Sequence, residues 1–445
     1  MDRYKNKKIL ILGMARSGYE VAKLLSEYNN EIIITDKKEQ NEEHIKELEI
    51  LNVKFILKDD PIDLLDSSFD LVIKNPGIRY DHSLILKAID LGIRVENEVE
   101  VAYHFIPSSA KIVAITGSNG KTTTTTLCYE FFKQMGLNVH LGGNIGYPLS
   151  SIVKQIKEND IVVLEISAQQ LHDCYDFNPN ISILTNLTEV HTDFFMTHEN
   201  YVNHKLRIFM NHDNSNIAVL NKSNLEEYEA TKNIKSKKIY FSSSVEADAC
   251  IKENAIYYNN EKIIDLEKIK LKGMHNYENI MCAIIATKNL GVDNNAINKV
   301  LSNFYGVEHR IEYVKTINGV EFYNDSKATN VKSTQIALSA FKNPTILIMG
   351  GLDRKHSFDE LKEYMNNVTN VICYGETKER IKLFCDSINI DCTITENLEE
   401  ATLKAYSLSK EGYTILLSPA CASWDQFDDF EQRGKVFKEI VNNIR

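Results

Sequence analysis

Residues 111–126, KIVAITGSNGKTTTTT, decide how the rest of the chain is read. Residues 112–115 are an apolar run of the kind found in a buried strand. Gly117, Ser118, Asn119 and Gly120 follow as a turn, and Lys121 opens a helix predicted to run through Gln134. The first turn of a helix leaves amide groups unpaired and carries partial positive charge, so a phosphate binds well there. Glycines let the backbone approach the ligand, Lys121 reaches the terminal phosphates, and the Thr122 hydroxyl is placed to hold Mg²⁺. The pattern is the short form G-x-x-G-K-T, with Ile115 where the full P-loop pattern has glycine. The preceding strand and following helix are the context that separates a nucleotide site from an ordinary strand-to-helix turn.

At 445 residues the chain is too long for one core, and about three domains are expected. Hydrophobic content of 43% and charged content of 25% match a soluble globular protein. A net charge of −11 argues against nucleic acid, because an acidic surface repels the phosphate backbone. The eight cysteines contain no C-x-x-C pair, which fits reduced thiols in a cytosol better than disulfides or a zinc site. The opening MDRYKNKKILILG has only residues 9–12 apolar before Gly13, too few for a signal peptide. No run approaches the ~20 apolar residues that span a bilayer. A cytoplasmic protein with no membrane insertion is expected.

The chain begins with an apolar strand at 8–12 and the loop Gly13-Met14-Ala15-Arg16-Ser17-Gly18, then a helical stretch and a strand ending in Asp36. This is similar to a dinucleotide fingerprint, but Ala15 replaces the middle glycine and its methyl would crowd a pyrophosphate, which disfavours NAD. A strand at 69–73 leads into Asn75-Pro76-Gly77, a rigid turn where open α/β sheets place ligands. Strand–helix alternation makes residues 1–105 one doubly wound domain, with a boundary at Ile106-Pro107-Ser108-Ser109. In the block 106–306, Glu165 ends a strand beside the phosphate-loop strand, where an NTPase holds its metal. Gly142-Gly143-Asn144 follows another strand. His191 lies in a polar strand-end loop, and Lys205 in the helical segment NYVNHKLRIFM. Taken singly, this histidine reads as structural and this lysine as solvated. Residues 217–270 read as strands and turns, and Gly273, Met274, His275 and Asn276 cap a helix at 277–290. The block 307–445 reads as a second Rossmann-like sheet with polar residues at its strand ends: Arg310, Asp325, Lys327, Thr329, Asp353, Lys355 and Ser423. Each of these charges alone is as well read as a surface ion pair worth ~0–1 kcal/mol.

Together the segments TGSNGKTT (116–123), GGNIG (142–146), EISAQQL (165–171), NLTEVHTDFF (186–195), NHKLRIF (203–209), GMHNYEN (273–279), EHRIE (308–312), NDSKATN (324–330), GGLDRK (350–355) and LSPACASWDQFDDFEQRGKVF (417–437) resemble the Mur ligase family of peptidoglycan synthesis, from the first strand to the last helix. The last segment is the part most specific to members that add D-glutamate. The D-N-P-R of diaminopimelate-adding members is not found.

The resemblance implies three domains: Rossmann-like, central P-loop with a mixed sheet, and C-terminal Rossmann-like. It implies an ATP-dependent, ADP-forming acid–amino-acid ligase. ATP would phosphorylate the carboxylate of UDP-N-acetylmuramoyl-L-alanine, and the amine of D-glutamate would displace phosphate from the acyl phosphate. Phosphorylation turns a very poor leaving group into a good one and divides one hard step into two. By the same resemblance, Gly117, Ser118, Asn119, Gly120, Lys121, Thr122 and Thr123 would cradle ATP, with Asn279, Arg310 and Asp325. Thr122, Glu165, His191 and a carbamylated Lys205 would hold two Mg²⁺ ions, and Lys121, Glu165, His191 and Lys205 would carry catalysis. Ala15, Arg16, Ser17, Asp36, Asn75, Gly77, Asn144 and His191 would meet the UDP-linked substrate. Lys327, Thr329, Lys355, Ser423 and Phe430 would surround D-glutamate. A monomer is expected. The chain departs from the family at Gly350-Gly351-Leu352-Asp353-Arg354-Lys355, which leaves either Arg354 or Lys355 as the substrate partner. It departs again at Trp424, where a smaller apolar residue is usual. The competing readings are a folylpolyglutamate-synthetase-like ligase and a P-loop regulatory protein. A complete first Rossmann unit argues against the former. The His191–Lys205 pair and a charged third domain argue against the latter.

Overall fold

The chain, seen in a computed structural model, is described over residues 2–188 and 192–444, with backbone alone at 192 and 193. Strands β1 (Lys8–Leu12), β2 (Glu31–Asp36), β3 (Lys54–Leu57), β4 (Leu71–Lys74) and β5 (Arg94–Glu96) form an all-parallel sheet in the order β3-β2-β1-β4-β5. β1 and β4 are apolar except for Lys8 at the start of one and Lys74 at the end of the other, because both of their faces are buried. The strand order reverses at β1, so a crevice forms beyond its C-terminal end.

A second sheet contains β6 (Lys111–Thr116), β7 (Val139–Gly143), β8 (Ile161–Glu165), β9 (Ile181–Leu184), β10 (Ile217–Asn221), β11 (Lys237–Ser242), β12 (Ala249–Lys252), β13 (Ala255–Tyr258) and β14 (Glu261–Asp265). Its order is β14-β13-β12-β11-β10-β9-β6-β8-β7. The pairs β12–β13 and β13–β14 are antiparallel and the others parallel. β6, which feeds the phosphate loop, sits between β8 and β9. The helix Met274–Lys288 is apolar on all sides and buried along most of its length, packed beside the helix Lys121–Gln134.

The first two sheets share a core. Leu24 of the helix Ala15–Ser26, with Val99 and Ala102 of the helix Glu98–Tyr103, joins Ala114, Leu149, Val162 and Leu164 of the second layer. Burial of each Leu or Val side chain contributes ~1.5–3 kcal/mol. Met1–Phe304 accordingly forms one compact unit.

Tyr305–Arg445 forms the other unit. Its strands β15 (Glu312–Ile317), β16 (Val320–Asn324), β17 (Thr345–Gly350), β18 (Val368–Tyr374), β19 (Asp391–Ile394) and β20 (Thr414–Leu417) are ordered β15-β16-β20-β17-β18-β19, with only β15–β16 antiparallel among these pairs. The buried Arg433 pins its centre, donating to the hydroxyl and carbonyl of Ser326 at 2.9 and 2.8 Å and to the Cys421 carbonyl at 3.1 Å.

Local expectations differ from the structure at several points: the helix expected after the loop Gly13–Gly18 starts inside it, at Ala15, and two further differences lie in the second layer. The helix expected from residue 277 starts at Met274, because Gly273, at φ +108°, makes the break earlier. Asn276 therefore lies inside the first turn and donates to the Lys272 carbonyl at 2.8 Å instead of capping. The segment 217–270 also holds a helix, Leu225–Thr231, whose seven residues are too few to show a period. All eight cysteines are free. Among the described residues no helix is long and apolar enough to cross a membrane.

Candidate active site at the phosphate loop

The loop after β6 is held by backbone fit. A Cβ added at Gly117 would stand 1.9 Å from the Thr185 hydroxyl oxygen, and one at Gly120 would stand 2.1 Å from Asn279 Oδ1. Both positions have positive φ, +145° and +80°. Only glycine meets both demands. Asn279, expected at the nucleotide, is buried directly against the loop, with Oδ1 accepting from the Thr124 hydroxyl at 3.5 Å. Lys121 folds back, donating to the Gly117 and Ser118 carbonyls at 2.8 and 2.9 Å. Thr122 is buried in the first turn of the helix.

Lys205 converges on the same carbonyl. It belongs to the helix His198–Leu206, is 1% exposed rather than solvated, and donates to Gly117 O at 2.7 Å. Its ammonium lies over the Tyr201 ring, 4.6 Å from the centroid. Burial first, and then the Lys121 ammonium, push its pKa well below the ordinary lysine value, against the pull of Glu165. Glu165 ends β8 and is 3% exposed. Its Oε1 accepts from Asn144 Nδ2 at 2.9 Å, while its buried Oε2 has no hydrogen-bond partner among the described residues. Glu165 ends the strand paired with β6, whose loop leads to Thr122, and an orphaned carboxylate oxygen with a threonine hydroxyl is a hard-oxygen donor set of the kind Mg²⁺ takes. His191 lies outside the described residues.

Pro76, Gly77, Lys121, Asn144, Ser167 and Lys205 line one cavity of about 480 Å³. A second cavity, of about 560 Å³, opens at the β1 crevice and is lined by Ala15, Asp36, Asn75 and Gly77. Asp36 Oδ2 accepts from the Met14 amide at 2.9 Å, and Asn75 Nδ2 donates to the Ser17 hydroxyl at 3.1 Å. Arg16 points elsewhere, donating to the Gly146 carbonyl at 2.6 Å. This cavity also holds Lys37, Lys38, Lys58 and Arg79, cations that the sequence reading did not select. The lysines directly after Asp36 were the available signal.

In the smaller unit, Arg310, Asp325, Lys327, Thr329 and Phe430 line a cavity of about 340 Å³. Asp325 accepts from the Ile311 amide at 3.2 Å and the Ser418 hydroxyl at 2.7 Å, and burial raises its pKa to about 7. Lys327 lies 5.8 Å from the Phe430 ring centroid. Lys355 is elsewhere: its side chain is 82% exposed and pairs with Asp353 at 3.0 Å. Burial would raise the Asp353 carboxyl, but hydrogen bonds from Lys355 and the Arg380 cation outweigh it and hold the pKa at about 2. Arg354 instead lies over the exposed Trp424 ring, at 4.9 Å. Ser423 is buried in the turn before the helix Phe430–Asn443, where its carbonyl accepts from the amides of Gln426 and Phe427.

Comparison with known proteins agrees with this arrangement. A model of the Mur ligase middle domain matches residues 115–287, and one of the Mur ligase, glutamate ligase domain matches residues 309–421. The chain is 43% identical to a UDP-N-acetylmuramoylalanine--D-glutamate ligase of Geobacillus sp. (strain WCH70), over 99% of each chain. It is 41% identical to one of Bacillus cereus (strain G9842), over 100% of this chain and 99% of that one. Among solved structures, the UDP-N-acetylmuramate-alanine ligase MurC of Thermotoga maritima shares the fold at TM-score 0.59 and 18% identity, over 98% of this chain and 99% of that one. A MurF ligase of the same organism, in complex with ADP, does so at TM-score 0.57 and 17% identity, over 99% of each. With full-length relatives above two-fifths identity and both domain models matched, the chain belongs to the Mur ligase family.

Proposed function

We propose that this chain is the ATP-dependent ligase that joins D-glutamate to UDP-N-acetylmuramoyl-L-alanine in peptidoglycan precursor synthesis. The observation that carries the reading is the convergence of Lys121 and Lys205 on one loop carbonyl, with a Glu165 oxygen that has no hydrogen-bond partner among the described residues. The names of the full-length relatives narrow the substrates and disfavour a folate-type ligase or a regulatory switch. By this reading residues 1–105 bind the UDP-linked substrate, 106–306 bind ATP and 307–445 bind the amino acid. The protein acts as a monomer in the cytoplasm.

The chemistry follows from the residues. Loop amides from Gly117 to Thr123 bind the ATP phosphates, and the Lys121 amine turns from its carbonyls to the γ-phosphate. Lys205, driven toward its neutral form, has the lone pair needed to attack CO₂. The new N–C bond and the loss of one proton make it a carbamate anion. Thr122, Glu165, His191 and that carbamate would hold two Mg²⁺ ions, whose charge would neutralise the transferring phosphoryl group. Asn144, tied to Glu165, meets the alanyl carboxylate, whose oxygen attacks the γ-phosphorus and releases ADP. Arg310 and Asp325 meet ATP. Lys355 and Ser423 stand outside the cavity of the smaller unit, and Lys327, Thr329 and Phe430, which line it with Arg310 and Asp325, receive D-glutamate. Its amine attacks the acyl carbon, and phosphate leaves with the bond pair.

The test is phosphate release by the purified protein. Release should require ATP, UDP-N-acetylmuramoyl-L-alanine and D-glutamate together. Equal turnover with L-glutamate, lysine or a folate would overturn the substrate assignment.

A further inference from the structure

A chain of side chains behind the phosphate-loop cavity is not used by that chemistry. Lys74, the last residue of β4, and Asp173, just after the helix Ala168–His172, form an ion pair at 2.9 Å, with side chains 0% and 2% exposed. Lys74 Nζ also donates to the Ile78 carbonyl at 2.9 Å, closing the turn that contains Asn75, Pro76 and Gly77. The other Asp173 oxygen lies 2.6 Å from His172 Nδ1. The His172 ring stacks on Tyr80, with centroids 5.2 Å apart, and on His204, 4.7 Å apart, at interplanar angles of 13° and 12°. His204 directly precedes Lys205.

This chain joins three elements. One end holds the first-sheet turn whose Pro76 and Gly77 form one wall of the cavity. The other end holds the helix that carries Lys205. The middle is the helix that follows Glu165. Moving two charges into a dry site costs much of what their attraction returns, so such a pair is a poor source of stability. What it supplies is a fixed relative position.

We propose that Lys74, Asp173 and His172 are positioning residues, which set the first-sheet turn against the Lys205 helix so that the UDP-linked carboxylate meets the γ-phosphate in line. The inference rests on the ligase reading above. None of the three lines the phosphate-loop cavity or the cavity at the β1 crevice.

The test removes both charges at once, in the variant Lys74→Met/Asp173→Leu, because a single change would strand a buried charge. The double variant should fold, as judged by circular dichroism and melting. Its kcat for phosphate release should fall between about 10- and 100-fold, the cost of a misplacement of about 1 Å. Its KM for ATP and its calorimetric Kd for the UDP-linked substrate should stay within about threefold, because uniform binding is untouched. A folded double variant with wild-type kcat overturns the proposal, as does one whose only defect is weaker binding of the UDP-linked substrate. If the double variant does not fold, His172→Leu decides. It keeps the ion pair but removes the link to His204, so the same kcat loss supports the proposal and a wild-type kcat overturns it. Wild-type enzyme is assayed alongside. If it releases no phosphate with all three substrates, the ligase reading fails and this inference with it. An active wild type beside an unaffected variant sinks the positioning role alone.

Discussion

A buried lysine must either pair its charge or shed its proton. At Lys205, burial and the Lys121 ammonium favour shedding, and the Glu165 carboxylate does not reverse the balance. A neutral amine next to a phosphate loop is a reagent for CO₂ rather than a cation for phosphate. Lys205→Ala should lower kcat for phosphate release at least about 100-fold, as losses of single charge-stabilising groups do. If the missing group is a carboxylate on nitrogen, added formate or acetate should restore part of the rate, and no restoration across several short acids would remove the carbamate from the mechanism. Gly120 gives a second test. Its φ of +80° and the 2.1 Å approach of a Cβ to Asn279 Oδ1 leave no room for a methyl group. Gly120→Ala should therefore weaken ATP binding at least about tenfold, with melting changed by no more than a few degrees, since the damage is confined to a loop. Titration with a non-hydrolysable ATP analogue reads this directly.

At the scale of elements, the helix Glu98–Tyr103 meets the second layer through the acids Glu98 and Glu100, and the former titrates in a useful range. Glu98 is fully buried, and Oε1 accepts from the Ser150 amide at 2.5 Å. Burial raises its pKa to about 7, against the Ser150 hydrogen bonds. A folded-state pKa above the unfolded value of about 4.3 means that the fold holds a proton the unfolded chain has lost. The resulting stability is fully present below pH ~4.3 and is lost as pH rises through ~7, an effect of up to about 4 kcal/mol. Glu98→Gln keeps an acceptor for Ser150 but does not titrate. The variant should melt higher than wild type at pH 8 and show a flatter dependence of melting on pH between 5 and 8. Equal slopes would mean that Glu98 is hydrated in the fold.

Elements of this scale were also the most legible in the sequence. β1, β6 and the helix Lys121–Gln134 stand where apolar runs and the Gly-Lys-Thr junction put them, because buried parallel strands need continuous apolar residues. The short pieces were not legible. β3 and β19 have four residues each, half exposed at sheet edges, and carry no strong pattern. Site residues brought in by strand ends were readable for the same topological reason. Lys74–Asp173 was not, because one partner ends a strand of the first sheet, the other follows a helix of the second layer, and nothing local marks either as paired.

At the scale of the whole molecule, the cores decide how the protein comes apart. The first two sheets share apolar side chains across Leu24, Val99 and Leu149, so one core ties both layers of Met1–Phe304 together. Tyr305–Arg445 has clusters of its own, built on Leu347, Met349, Val371 and Ile381 on one side and Phe322, Ile348 and Phe437 on the other. Calorimetry should therefore resolve two transitions, the larger with about twice the enthalpy of the smaller, since unfolding enthalpy scales at about 0.7 kcal/mol per residue. The cavity at the β1 crevice belongs to the larger unit, and although Asp36, Asp59 and Asp81 share its lining and Lys58 and Arg79 are paired with Asp63 and Asp81, Lys37 and Lys38 offer it cations for a diphosphate. UDP at 100 times its Kd should stabilise that unit by about 2.7 kcal/mol and leave the other transition in place. The pair of outcomes separates two claims. A single transition would show that the units unfold together, whereas two transitions with UDP moving only the smaller would relocate the uridine site to the other unit.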